Sequence, residues 1–268
     1  MCVKQNASDF AHKYPIAAKV VDESFYVDDC LIGANSVEEG IELQSQLQNL
    51  FSEADFLLRK WNSSNPTVLQ AIPPDLRDTQ TSLTISESEE IYTKTLGVEW
   101  HSVLDHFRLS IANHSPIENL TKRALVSDIA KTYDVLGWYA PTIIKVKILL
   151  QRVWEVKIDW DDPVPQPQPI ADEWELWRSQ LKSHSQTHIP HCYFPKHVQV
   201  VSTQLHGFSD ALESAYAGVV YLRMVDSHGK VHISLVASKT KVAPLERLTI
   251  PRLELCGAQL LTKLLEHV

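Results

Sequence analysis

The sequence predicts an α+β chain, and three observations carry that reading. Strand-like runs and a hairpin surround one amphipathic helix before Pro116, helical periodicity dominates from Pro116, and strand alternation returns from Val198. With 268 residues, 44% of them hydrophobic, there is material for one large domain or two to three smaller ones. A formal net charge of -8 argues against a uniformly basic nucleic-acid-binding surface while leaving room for local basic patches. Cys2, Cys30, Cys192 and Cys256 are scattered without a CxxC pair, which favours a reducing intracellular compartment, cytoplasm and nucleus being indistinguishable. The first residues lack a signal-peptide core, and "TIIKVKILL" is interrupted by Lys145 and Lys147, so a soluble chain with no membrane span is expected.

The first element of interest is "FYVDDCLIGA", residues 25–34. Its flanks are aromatic or β-branched enough for strands, which leaves Asp28 and Asp29 at or near a hairpin turn. Adjacent carboxylates repel, so a divalent cation or an ordinary Asp-rich turn both account for the pair at this point. In "SVEEGIELQSQLQNLFSEADF" Ser36 and Glu39 form a capping box, and Val37, Ile41, Leu43, Leu47, Leu50 and Phe51 form an apolar stripe, which predicts a helix. "FLLRKW" reads as a short strand before a polar loop, and "TKTLGVEW" with "HFRLSI" reads as a second hairpin around "HSVLD".

"NLTKRALVSDIAKTYDVLGWYAPTIIKVKILLQRVWEV" predicts two helices, broken at Leu136-Gly137 and again at Pro141. The four prolines of "DWDDPVPQPQP" forbid regular ladders and mark a linker over residues 161–169, followed by a helix at "ADEWELWRSQL". "VQVVSTQLHGFSDAL", "SAYAGVVYLRMV" and "KVHISLVASK" read as three strands, the last two joined at "DSHG", and a final helix starts near Pro251. The strand Asp210 and the helix Glu254 make a second carboxylate constellation. His184, His188, His191 and Cys192 have zinc-ligand chemistry, but no second ligand cluster lies nearby and Ile189-Pro190 reads as a plain extended turn. His206 reads as a strand residue, and most of the tryptophans, Trp100 among them, as packing residues with the capacity to stack on bases.

The ordered set of these segments resembles the polymerase polyprotein of BEL/Pao-type LTR retrotransposons over almost the whole chain. "FYVDD" is similar to the reverse-transcriptase palm motif, and "LGVEWH" to its primer-gripping hairpin. "TKRALVSDIAKTYDVLGWYAP" with "LLQRVWEVKIDWDDP" resembles the thumb and connection region, which carries the name of a Pao retrotransposon peptidase. "LHGFSDALESAYAGVVYLR", "VASKTKVAPL" and "LTIPRLELCGAQLL" resemble the first half of an RNase H domain. The resemblance implies three parts: residues 1–112 as the C-terminal part of the palm, 113–197 as a helical thumb and connection, and 198–268 as a truncated RNase H-like mixed sheet with helix. It implies RNA-directed DNA polymerase and RNase H chemistry with Mg²⁺ held by Asp28 and Asp29 at one site and by Asp210 and Glu254 at the other. It further implies nucleic acid as partner, an RNA/DNA hybrid or primer-template, with Tyr26 beneath the primer terminus and Trp100, Lys122 and Arg123 as substrate contacts.

Two departures from the family pattern shape the functional expectation. The palm lacks a third upstream aspartate, since Asp9 and Asp22 are in the wrong context, and the RNase H half lacks the aspartates that follow Glu254. With so few carboxylates, weak Mg²⁺ binding and no efficient turnover are expected, as for a fragment of the element. The alternative is a non-catalytic binding or interaction module that uses Lys122, Arg123, Lys131, Lys145 and Lys147 on a nucleic-acid backbone. Proteolysis is disfavoured because no Asp-Thr/Ser-Gly motif is present, Asp226-Ser227 being followed by His228. A missing fourth strand would leave Leu205 to Leu212 as an exposed RNase H sheet edge, open to self-association or to a partner that supplies a strand.

Overall fold

The computed structural model describes residues 2–27, 29–78, 92–95, 98–109, 120–132, 134–164, 169–184, 187–195 and 198–268. It is α+β, and its contacts divide it into two compact units, Met1–His106 and Phe107–Val268.

The first unit is built on helices α1 (Cys2–Asp9), α2 (Pro15–Glu23) and α3 (Val37–Ser52), with the short α4 (Pro66–Ala71) after them. The first two carry little sequence signal beyond Pro15, which occupies the first helical position of α2, where a missing N–H is tolerated. Ala17, Val20 and Val21 then fall on one face and are buried against Leu43, Leu47, Leu50 and Phe51 of α3. Each such leucine contributes about 2 kcal/mol of transfer free energy. Ser36 caps α3 by accepting from the Glu39 N–H at 3.1 Å, while the Glu39 carboxylate reaches back to the Asn35 N–H at 2.7 Å. The buried Asn6 amide donates to the Leu50 carbonyl at 2.7 Å, which ties α1 to the end of α3.

A strand over "FLLRKW" does not form. Asp55 and Lys60 both adopt left-handed φ, which interrupts an extended path, and only an isolated bridge from Trp61 to Arg77 remains. Strands β1 (Phe25–Tyr26) and β2 (Asp29–Cys30) make a minimal hairpin, and β3 (Thr93–Thr95) pairs antiparallel with β4 (Val98–His101). Strand β5 (His106–Leu109) follows the predicted turn, across which the rings of His101 and His106 stack at 5.2 Å.

In the second unit α5 (Lys122–Ala130), α6 (Ala140–Glu155) and α7 (Ile170–His184) pack around Leu125, Val146, Val153, Trp174 and Leu181. Pro141 does not break a helix. It sits in the first turn of α6, and the chain reverses upstream of it, where the Asp134 carboxylate accepts from the N–H groups of Trp138 and Tyr139, each at 2.9 Å. The start of the proline-rich stretch is drawn into this core: Val164 is buried and its N–H bonds the Leu120 carbonyl at 2.8 Å. Strand β6 (Ile189–Pro190) is the short extended piece expected at "HIP".

Strands β7 (Val200–Leu212), β8 (Ala215–Asp226) and β9 (Val231–Val242) form an antiparallel sheet in that order, and α8 (Ile250–Leu265) packs on one face. Close approach of helix and sheet depends on Gly218, where a Cβ would stand 3.2 Å from the Leu261 backbone. Val220, Leu222, Met224 and Val236 supply the buried part of the sheet.

Candidate functional site

Pairing of Tyr26 with Asp29 leaves a two-residue connection, the arrangement that requires a primed turn. Val27 accordingly has φ 57° and is 86% exposed. A β-branched residue in that region costs about 1–2 kcal/mol, a strain of the kind that gathers at functional sites. Asp28 and the Tyr26 side chain lie outside the described residues. Asp29 and Trp100 are brought together as lining residues of a cleft of about 330 Å³, to which Arg59, Lys60 and Lys94 add positive charge. Trp100 itself is buried, and its indole N–H donates to Asp105 at 3.3 Å. Cys30 also lines the cleft, but burial pushes its thiol up to about 11, so it is no thiolate nucleophile at neutral pH.

The second constellation lies where α8 crosses the end of β7. A Cβ built on Gly257 would meet the Asp210 carbonyl oxygen at 3.4 Å and the Ser209 side chain at 3.6 Å. Ser209 therefore faces the helix, and strand alternation turns Asp210 to the other face with His206 and Phe208. Glu254 is one helical turn before Gly257, on the same stripe of α8, so it is carried to the Asp210 end of the strand. Both carboxylates are exposed, and Asp210 accepts a hydrogen bond from the Ala211 N–H at 2.9 Å. Among the described residues no group of three or more His, Cys, Asp or Glu side chains is placed to hold a metal ion.

Asp210 and Glu254 therefore do not converge: the strand carboxylate is on the face of the sheet turned away from α8, and the glutamate is on α8 itself. A family model for the Pao retrotransposon-like RNaseH-like domain matches residues 121–268, more than half of the chain. The chain belongs to this family. No curated protein matches it. In this Pao-type RNaseH-like domain the match takes in α5, α6 and α7 as well as the sheet and α8. The helices and the sheet thus form one family unit.

The other candidate residues fall inside that domain. Lys122 is buried; its ammonium donates to the Ile158 carbonyl and sits 5.2 Å from the Trp154 ring. Arg123 is bidentate on Asp161 at 2.7 and 2.9 Å and lies over Trp160. Both cations are thereby engaged in holding the start of α5 to the segment after α6. The His184 side chain lies outside the described residues, and His191 packs edge-on against Phe107 at 4.9 Å. Lys239, Lys241 and Lys263, three cations that share a concave surface with Lys147, escaped the sequence reading. The spacing Lys239-Thr240-Lys241 on a strand was their available signal, since it places both charges on one face.

Proposed function

We propose that the chain is the RNaseH-like region of a Pao-type retrotransposon polyprotein together with the end of its reverse-transcriptase palm, and that it holds an RNA/DNA hybrid or primer-template without turning it over efficiently. The observation that carries this reading is the family match over residues 121–268, which takes in both the strand of Asp210 and the helix of Glu254. Asp210 and Glu254 offer hard oxygen ligands of the kind Mg²⁺ prefers, and each would hold it from its own side of the sheet rather than jointly. When bound, the ion would supply charge neutralisation at a phosphodiester and activation of water. Mg²⁺ keeps its waters unless several ligands and substrate phosphates replace them, so a lone carboxylate holds it weakly. At the palm-like hairpin the strained Val27 turn and the cationic cleft around Asp29 support the same lineage. The family's peptidase name finds no support in the residues, which lack the motif of an aspartic dyad.

The test is a gel-shift titration with an RNA/DNA hybrid at several salt concentrations, run beside hybrid-cleavage and primer-extension assays with Mg²⁺ or Mn²⁺. Salt-dependent binding without product is expected. Absence of hybrid binding at low salt would sink the reading. Product above the background of Asp28→Asn or Asp210→Asn would instead show that the sites are complete enough to turn over.

A further inference from the structure

In the second unit a cleft of about 650 Å³ opens between the turn before α6, the outer strand β9 and the end of α8. That volume is in the usual range for small-molecule sites. Its lining is divided by chemistry. Leu136, Ile143, Leu260 and Leu264 give an apolar floor, while Lys147 from α6, Lys239 and Lys241 from β9 and Lys263 from α8 bring positive charge from three separate elements. None of the four ammonium groups makes a salt bridge or hydrogen bond among the described residues. The one acidic side chain in the lining is Asp134, whose carboxylate serves the N–H groups of Trp138 and Tyr139 and also interacts electrostatically with Lys147, which leaves Lys239, Lys241 and Lys263 as the uncompensated charges.

The walls are fixed. The Ser238 N–H bonds the Leu136 carbonyl at 2.8 Å, and the Ser238 hydroxyl donates to the Gly137 carbonyl, so the turn is stitched to β9 on the cleft's own rim. A fixed concavity with four cations, in a chain whose formal charge is -8, concentrates positive potential against the trend of the whole molecule. The ligand must answer both halves of the lining. A bare inorganic anion would leave the apolar floor wet, and a monocarboxylate would leave most of the ammonium charge unmatched. We propose that this cleft binds a phosphate ester with a planar or apolar body, of the size of a nucleotide, with its phosphates on Lys147, Lys239, Lys241 and Lys263 and its body on the leucine and isoleucine floor. The phosphate can belong to a free nucleotide or to a nucleotide within a single strand. Asp210 and Glu254 do not line the cleft, so this site stands or falls separately from the RNase H-like carboxylates.

The experiment is fluorescence anisotropy on the full chain with a fluorescently labelled ADP and, in a parallel arm, a labelled short single-stranded oligodeoxynucleotide. Saturable ADP binding at one site marks the free nucleotide as the source, and saturable oligonucleotide binding that ADP displaces only weakly marks the strand. In either arm the double variant Lys239→Gln/Lys241→Gln should weaken binding about tenfold or more, the loss expected for charge-assisted contacts. Lys230→Gln, in the exposed turn between β8 and β9, should leave binding unchanged. Lys263→Gln is the second variant, read in the same way should the double variant lower the melting temperature. Failure of both probes to saturate, full binding by the lysine variants, or an equal loss in Lys230→Gln would overturn the proposal.

Discussion

The two outer strands of the β7–β8–β9 sheet are handled in opposite ways. Along β9, the backbone at Ser238 is taken up by the Leu136 carbonyl, Gly137 packs on the Ser238 carbonyl, and Gln151 of α6 donates to the Ala243 carbonyl at 2.7 Å just past the strand. Along β7, every residue from Val201 to Asp210 is exposed, and no strand pairs with its outer side among the described residues. Leu205, Phe208 and Leu212 are 47%, 57% and 54% exposed, with Asp210 the one carboxylate between Val200 and Leu212. An edge covered by a turn cannot template another strand, whereas a long, apolar, bare one can. The α5–α6 connection therefore does more than join helices, because it closes one side of the sheet and leaves the other as the surface open to a further strand.

The largest expected effect is at the covered edge. Gly137 has φ +72°, and a Cβ there would stand 1.8 Å from the Ser238 carbonyl oxygen. Gly137→Ala must therefore carry a left-handed alanine and also lift the turn off β9, at a cost of about 3 kcal/mol or more. A urea titration checks this, and an unchanged midpoint would mean that the turn detaches freely and that the two edges are alike. Next in size is the bare edge. The unmutated chain should show mass rising with concentration in light scattering in the micromolar range, and Phe208→Lys, which places a charge in the middle of β7, should reduce it. A clean monomer throughout would show that exposure alone does not make β7 adhesive.

Much of this contrast was legible in the sequence, and the reasons for what was not are physical. The long strands, their turn at "DSHG" and α8 follow from strong alternation and from Pro251. The covering of β9 did not, because hydrogen bonds between Leu136, Gly137 and Ser238 join residues about a hundred positions apart and leave no local pattern; Gly137 was visible only as a helix break. The same holds for the lysine cleft, whose four charges are contributed by three elements. Among the smaller elements, α1 and α2 rest on tertiary burial of Ala7, Ala17 and Val21 more than on propensity, so a weak local signal was to be expected. "FLLRKW" failed as a strand because two non-glycine residues around it accept left-handed φ, which composition does not announce.

The smallest expected effect tests the hairpin that delivers β9 to its position. Asp226, at the end of β8, is almost fully buried; one carboxylate oxygen accepts from the N–H groups of His228 at 2.9 Å and Lys230 at 3.0 Å, and the other faces the His232 ring nitrogen at 2.9 Å. The hydrogen bond with His232, joined by those two N–H groups, outweighs burial and holds the Asp226 carboxyl below its ordinary value. A depressed carboxyl stabilises the fold above its unfolded value, near pH 4, and this contribution disappears as pH falls through the lower folded value. Asp226→Asn should therefore melt about 2 °C below the unmutated chain at neutral pH, and the gap should narrow as the pH is lowered below about 4. Thermal melts at several pH values read this directly. A gap that stays constant down to strong acid would assign the role of Asp226 to its hydrogen-bonding shape, which asparagine lacks at any pH, and would remove charge from the account of how the β8–β9 turn is held.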